Sequence, residues 1–179
     1  MSNLNIRIVT EIGEDLNEQD WVDITNFVKK FPTNVKRSHN VKYYKTKLLN
    51  SPYGSSYITR VLNESGSCVG LTTLTRKLFV AMGKKYVSFE LGDSYLIKDL
   101  QGKSIYSKII NSALLSIEKK EKSNFVYSTP NSLSIPGLIK GGFVIADYKI
   151  FERILPLRFD SLFKSFLLKF LFNILIPIY

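Results

Sequence analysis

The sequence has few of the residues that build disulfide-linked, metal-bound or low-complexity proteins. A single cysteine excludes an intramolecular disulfide framework, and Cys68 has no neighbouring cysteine or histidine at metal-ligand spacing. The six prolines and ten glycines are spread singly among 45% hydrophobic residues, which excludes global disorder. We therefore expect no metal, a reducing cytoplasmic location, and a role for Cys68 as a packed strand residue.

Long apolar runs are also missing. No window reaches the roughly 20 uninterrupted apolar residues of a membrane-spanning helix. The first residues lack the basic start and the apolar stretch of a secretory signal, so we expect a protein that is not exported. A chain of 179 residues with this composition can bury one sizeable core.

Negative charge is in the minority. The chain has 25 basic and 15 acidic residues, which gives a net charge of +10 and implies an anionic partner. Nucleic acid, a phosphorylated cofactor and an anionic membrane surface all fit this charge. Because the basic residues are dispersed and no recognition motif accompanies them, we expect no nucleic-acid partner.

Hydrophobic periodicity predicts alternating helices and strands. Strands are predicted at residues 5–10, 57–62, 68–80, 85–97 and 125–128, with one long strand or two at 143–155. Helices are predicted at residues 14–31, 38–50, 101–122 and 131–140. The central strands form an antiparallel meander. This order predicts an α/β (α+β) fold, with a mostly antiparallel mixed sheet covered by helices on both faces.

The most informative segment is the strand–turn–helix junction at residues 95–108. An apolar strand passes through a turn containing Gly102 into an amphipathic helix. Such a junction brings free backbone N–H groups and the positive end of a helix to one point, which suits a phosphate. Lys103 and Lys108 add positive charge. Ordinary strand–helix connections also contain glycine, so the junction alone does not identify a ligand.

A second segment makes the junction more specific. Gln101 is followed by Gly102-Lys103-Ser104-Ile105-Tyr106, and Asn131 is followed further on by Gly142-Phe143. Together they resemble the GCN5-related N-acetyltransferase (GNAT) superfamily, in which a loop of pattern Gln/Arg-x-x-Gly-x-Gly/Ala binds the pyrophosphate of acetyl-CoA. The resemblance implies the GNAT fold and an acyltransferase that uses acetyl-CoA, or another acyl-CoA, as co-substrate.

Three further motifs resemble GNAT proteins of bacterial surface-polysaccharide biosynthesis. They are Pro52-Tyr53-Gly54, Gly92-Asp93-Ser94 and the segment 131–137, and the resemblance extends over about residues 40–158. It implies a small-molecule amine acceptor and favours an amino sugar in nucleotide- or lipid-linked form. Protein N-termini and lysines stay open as acceptors. A catalytically idle acyl-CoA-binding module also stays open.

The resemblance assigns candidate site residues. A carboxylate is expected to take the proton of the amine, either Glu90, at the histone-type spacing from Gln101, or Asp93 in the polysaccharide-associated motif. Each of the two also has a structural interpretation, as a satisfied strand carboxylate or a bulge residue. The expected cofactor-binding residues are Leu96, Ile97, Gln101, Gly102, Lys103, Ser104, Ile105, Tyr106, Ser107, Asn131 and Ser134.

Three residues depart from the family pattern. Ser104 and Tyr106 replace small residues of the loop, so side chains crowd the path of the backbone to the pyrophosphate. Leu138 stands where many members have a tyrosine that protonates the departing thiolate, and leucine has no proton to donate. Another tyrosine (Tyr106, Tyr127 or Tyr148) or a water then donates the proton, unless the thiolate leaves without an acid.

The C-terminal segment is densely apolar. We expect residues 159–179 to form a helix that follows an acetyltransferase domain of residues 1–158. Lys164 and Lys169 leave this helix only a narrow polar face. Its apolar surface must be buried, and the sheet, a second copy of the chain in a homodimer, and the inner face of the cell membrane are the three alternatives.

Overall fold

A five-stranded sheet organises the part of the chain that the computed structural model describes, which is residues 5–31, 40–121 and 125–146. In chain order the strands are β1 (Arg7–Ile12), β2 (Tyr57–Leu62), β3 (Cys68–Ala81), β4 (Lys84–Leu96) and β5 (Val126–Tyr127). They lie side by side in that order. The first four pair antiparallel, and β5 pairs with β4 in parallel. The predicted mixed, mostly antiparallel sheet is confirmed.

Helices flank this sheet. The described residues include α1 (Glu18–Val28), α2 (Val41–Leu49), α3 (Ile105–Lys120) and α4 (Ile135–Lys140). Asn17 starts α1 by accepting a hydrogen bond from the Asp20 N–H, and Asn40 starts α2 by accepting one from the Tyr43 N–H. These caps satisfy N–H groups that a helix start otherwise leaves without an acceptor.

Strand β2 is buried on both faces because helices cover each side of the sheet. Successive side chains of a strand point to opposite faces. Ile58 and Leu62 pack in one cluster with Trp21 of α1, whereas Tyr57 packs in another with Ile110 of α3. The predicted helices on both faces of the sheet are confirmed.

Arg76 of β3 ties the end of α3 to the sheet. Its guanidinium donates to both carboxylate oxygens of Glu121 and to the Ser55 carbonyl. It lies 5.7 Å from the ring centroid of Tyr57 and 5.3 Å from that of Phe89. Burial raises the pKa of Tyr57 to about 12, and its hydrogen bond to Glu121 adds to this rise. The network therefore joins β2, β3 and the residue that follows α3.

The structure corrects several predicted boundaries. Helix α3 begins at Ile105 rather than at residue 101, because the chain first forms a 3₁₀ helix at Lys98–Leu100 and then turns. The predicted helix 14–31 is interrupted, since a 3₁₀ helix at Gly13–Asp15 precedes the cap of α1. Residues 143–146, the described part of the predicted strand 143–155, are not in a strand.

Residues 147–179 lie outside the described residues. This segment contains Tyr148, the remainder of the predicted strand and the predicted C-terminal helix at 159–179, which all stay predictions. The described residues up to Val144 form one compact unit. Within the described ranges, no helix combines the length and apolar character needed to cross a bilayer.

Candidate functional site

Strands β4 and β5 separate after a short parallel pairing that ends at Glu90 and Tyr127. The Ser128 hydroxyl then donates to the Leu91 carbonyl at 2.9 Å. Beyond this bond β4 continues to Leu96, and no described strand pairs with that edge. The opening leaves backbone groups of β4 available to an extended ligand, which can hydrogen-bond to them as an added strand does.

A β-bulge shapes β4 at this opening. The register of the two neighbouring strands shifts just before Thr73, and Asp93 has a φ of 44°. The Gly92 carbonyl accepts the hydroxyls of Thr72 and Thr73, both at 3.2 Å, and the Ser94 hydroxyl lies 2.7 Å from that of Thr72. Aspartate is one of the few residues that tolerate the left-handed region, so the Gly92-Asp93-Ser94 motif builds the bulge.

The opening is part of a cleft of about 910 Å³. Both candidate carboxylates, Glu90 and Asp93, line it. So do these predicted cofactor-binding residues: Leu96, Gln101, Gly102, Ser104, Tyr106, Ser107, Asn131 and Ser134. Three predicted residues do not line the cleft. Ile105, the first residue of α3, is buried in the core, Ile97 packs against the same core, and Lys103 is exposed.

The turn before α3 presents free backbone N–H groups to the cleft side of the helix start. Gly102 and Ser104 have φ of 74° and 58°. The Gln101 carboxamide holds the turn to β4 by donating to the Leu96 carbonyl at 2.9 Å. The Lys108 N–H donates to the Ser104 carbonyl at 3.3 Å. The backbone N–H groups of residues 102–107, which precede it, donate to no described residue. With the positive end of the α3 dipole, this arrangement favours an anion.

Each candidate carboxylate is paired with a lysine that also lines the cleft. Asp93 pairs with Lys47 of α2, and Glu90 pairs with Lys77 of β3 at 3.2 Å. The Asp93 side chain is 17% exposed and that of Glu90 is 32% exposed. Glu90 is thus the more exposed of the two candidate carboxylates.

Two of the tyrosines predicted as proton donors are among the described residues, and one of them lines the cleft. Tyr106 lines the cleft, and Tyr127 is the register partner of Glu90. Burial raises the pKa of Tyr106, although its contact with the Ser94 hydroxyl acts in the opposite direction. Burial, and then the charge of Glu90, raise the pKa of Tyr127. Both tyrosines therefore keep their proton at neutral pH and can donate it.

Asn131 and Ser134 bond to each other at the start of α4. The Asn131 side-chain oxygen accepts the N–H and the hydroxyl of Ser134, both at 3.0 Å. This local bonding fixes the start of the helix, whose Leu138 is buried in the core with residues of α3. Leu138 consequently does not line the cleft. The cofactor-binding role of Asn131 and Ser134 stays a prediction.

The Tyr106 ring is packed tightly against α4, and this contact gives a stability prediction. A Cβ on Gly137 would lie 2.2 Å from Cδ1 of Tyr106. We expect Gly137→Ala to lower the free energy of unfolding by about 1–3 kcal/mol in urea denaturation, because the ring must move. Gly92→Ala is the matched control, since a Cβ there meets nothing within 4 Å. Equal losses in the two variants would contradict the tight contact.

Part of the cleft lining was missed by the sequence analysis. Phe31, Lys47, Thr75 and Lys77 line the cleft, although none belongs to a motif. They come from the segment after α1, from α2 and from β3, which meet only in the fold. The available signal was the alternate spacing of Thr73, Thr75 and Lys77, which places them on one face of their strand.

Cys68 has the structural role expected of it. It is buried in β3, and its thiol donates to the Gly70 carbonyl at 3.3 Å. Burial raises the pKa of the thiol to about 11, so it stays protonated and unreactive. In the described part of the chain, no three His, Cys, Asp or Glu side chains are grouped so that they could hold a metal ion.

The five-stranded mixed sheet with helices on both faces is similar to the folds of solved acetyltransferases, one of which is described as a member of the GNAT family. No protein-family model matches this sequence, and no curated protein matches it. Solved structures do match. One is a predicted acetyltransferase from Clostridium acetobutylicum with acetyl-CoA, at a TM-score of 0.63 and 12% identity, over 83% of this chain and 96% of that chain.

Two further matches are enzymes with named acceptors. Glucosamine-6-phosphate N-acetyltransferase from Arabidopsis thaliana matches with a TM-score of 0.59 and 8% identity, over 82% of this chain and 98% of its own. Ribosomal-protein-alanine N-acetyltransferase from Brucella melitensis biovar Abortus matches with a TM-score of 0.59 and 15% identity, over 84% of this chain and 99% of its own. At these identities the similarity establishes the fold, and it confirms the GNAT fold predicted from the sequence.

Proposed function

We propose that this protein is an acetyl-CoA-dependent N-acetyltransferase that acts on the primary amine of a small molecule. The observation that carries the proposal is the cleft, where free N–H groups at the start of α3, the open edge of β4 and two carboxylates meet. Acetyl-CoA transfer uses all three, as a pyrophosphate site, a backbone partner for the pantetheine arm and a proton acceptor for the amine. The match to a structure with acetyl-CoA supports this co-substrate.

In the proposed reaction the amine attacks the thioester carbonyl directly. The amine is mostly protonated at neutral pH, so a base must first take a proton. We assign this role to Glu90, because its pair with Lys77 is more exposed than the pair of Asp93 with Lys47. Asp93 then holds the bulge against α2. A backbone N–H of β4 beyond the bulge stabilises the developing oxyanion.

The leaving group also needs a proton. As the N–C bond forms and the C–S bond breaks, the electron pair goes to sulfur as a thiolate. We assign the proton donor to Tyr106, which lines the cleft and keeps its proton at neutral pH. This assignment replaces the tyrosine that many GNAT enzymes have at the position of Leu138.

We favour an amino sugar as the acceptor. The cleft lining offers the hydroxyl of Thr75 and the rings of Phe31 and Tyr95, whose centroids lie 5.0 Å apart. Hydroxyls can bond to sugar hydroxyls, and ring faces pack on sugar C–H groups. The match to glucosamine-6-phosphate N-acetyltransferase supports this class, and the match to ribosomal-protein-alanine N-acetyltransferase favours a protein N-terminus as the second candidate. A role in surface-polysaccharide biosynthesis rests on the sequence motifs.

An acceptor panel tests the proposed function. The protein is incubated with acetyl-CoA and glucosamine, glucosamine-6-phosphate, a nucleotide-linked amino sugar or a peptide with a free N-terminus. Release of the CoA thiol and the mass of each acceptor are then measured. We expect an acetylated amino sugar. An acetylated peptide alone would establish the second candidate, and acetyl-CoA binding without any product would indicate an idle binding module.

The turn before α3 provides a separate binding prediction. Ser104→Asp should weaken acetyl-CoA binding by about tenfold or more, because its carboxylate would repel the pyrophosphate at the helix start. Ser104→Gly is the matched control, since glycine keeps the N–H and adopts the φ of 58° without strain. The control should bind at least as tightly as the wild type in calorimetry. Equal affinity of Ser104→Asp and the wild type would remove this turn as the pyrophosphate site.

A further inference from the structure

The described cleft lining has two carboxylates, Glu90 and Asp93, and three lysines, Lys47, Lys77 and Lys140. Lys47 and Lys77 stand against Asp93 and Glu90, so these four groups carry no net formal charge. The described lining contains no further acidic side chain. An acceptor that carries only ammonium groups would therefore gain little electrostatic attraction here, whereas one with a negative group in addition to its amine can pair with both kinds of charge.

Charged and hydroxyl side chains lie next to one another along β3 and β4 in the cleft lining. Thr75 is the register partner of Glu90, and Lys77 lies two residues further along the same face of β3. A carboxylate that can bind an amine, a hydroxyl that can bind a sugar and an ammonium that can bind an anion are thus neighbours. One small substrate that carries all three matching groups is an amino sugar phosphate.

We propose that the acceptor is an amino sugar that carries a phosphate group, and that Lys77, assisted by Lys47, binds this phosphate. The inference rests on the proposed function, whose acceptor class it narrows. The Lys77 side chain is 42% exposed, and its ammonium has three donors, so it can hold a phosphate oxygen while it stays near Glu90. The Lys47 side chain is 34% exposed and adds a second positive charge to the cleft lining.

Three sources of this phosphate share the same chemistry. It can belong to a sugar phosphate, to a nucleoside diphosphate sugar or to a lipid diphosphate sugar. The net charge of +10 favours all three by attracting anionic substrates. Each source is therefore one arm of the test.

The test measures equilibrium binding, so it does not depend on turnover. Calorimetry compares glucosamine, glucosamine-6-phosphate, a uridine diphosphate amino sugar and a detergent-solubilised lipid diphosphate amino sugar. The wild type should bind at least one phosphorylated form about tenfold or more tighter than glucosamine. Lys77→Met should remove this preference, Lys47→Met should reduce it, and neither should change acetyl-CoA binding. Lys84→Met is the control, since Lys84 is exposed and lies outside the cleft lining.

The outcomes separate this inference from the proposed function. Equal binding of glucosamine and all phosphorylated forms by the wild type, or a preference that survives Lys77→Met, would overturn the phosphate site. Binding of acetyl-CoA together with no binding of any phosphorylated form would overturn it as well. If acetyl-CoA itself does not bind, the proposed function fails, whereas a phosphate preference that depends on Lys77 would still support the anion site.

Discussion

Glu90→Gln is expected to lower kcat by about 100-fold or more, because glutamine keeps the shape of the side chain and cannot accept the proton of the amine. Acetyl-CoA affinity should stay at the wild-type value, since the free N–H groups belong to the turn before α3. Steady-state release of CoA and calorimetry measure the two quantities. Glu118→Gln, on the exposed face of α3, is the matched control and should change neither.

The variant Asp93→Asn distinguishes the role of Asp93 from that of Glu90. Asparagine also tolerates a φ of 44°, so the bulge should survive while Lys47 loses its charged partner. We expect a smaller fall in kcat than for Glu90→Gln. A larger fall would assign the base to Asp93. Wild-type rates for both amides across the pH range would mean that the amine loses its proton in solution.

Arg76→Met is expected to cause the largest loss of stability. It leaves the Glu121 carboxylate and the Tyr57 hydroxyl without their partly buried cation, at a cost of about 3 kcal/mol. For a chain of this size the midpoint of thermal unfolding should fall by about 6–12 °C. The double variant Arg76→Met/Glu121→Gln should recover part of this loss, because no unpaired charge remains. If the free energy of unfolding of Arg76→Met falls by an amount within about 0.5 kcal/mol of that for a surface variant such as Lys84→Met, the network does not stabilise the fold.

The same network predicts a pH dependence. Burial acts to raise the pKa of Glu121, but hydrogen bonds from Arg76 and Tyr57 outweigh it and hold the pKa below its usual value. A carboxyl whose pKa is lower in the folded state adds stability above its unfolded pKa of about 4.3, and this contribution is lost as the pH falls through the folded pKa. Glu121→Gln should therefore flatten the fall in stability below about pH 4.3. An unchanged acid slope would exclude this contribution.

The sequence predicts most of the sheet because its signals are local. Strand β2 was predicted at its observed bounds, since turn residues flank a short β-branched run at Tyr57–Leu62. The long hairpin of β3 and β4 follows from continuous apolar alternation on both sides of Gly83. The start of α3 was placed too early because its periodicity continues into a turn whose end is set by left-handed residues, Gly102 and Ser104.

The cleft could be predicted only in part. The turn at Gln101 and the bulge at Asp93 carry motifs because backbone geometry restricts which residues fit there. Lys47 and Lys77, which pair with the two carboxylates, belong to no such motif. Lys47 of α2 reaches Asp93 of β4 only in the folded chain, and Lys77 reaches Glu90 only through the register of β3 with β4, so packing and strand pairing decide the two contacts.

The most direct test of an acetyl-CoA-dependent N-acetyltransferase is mass spectrometry of an amino sugar phosphate after incubation with the protein and acetyl-CoA. We predict a single added acetyl group on the amine, with an equal amount of free CoA, and loss of this product in Glu90→Gln and Ser104→Asp. If no amine acceptor gains an acetyl group while acetyl-CoA also fails to bind, the account is contradicted.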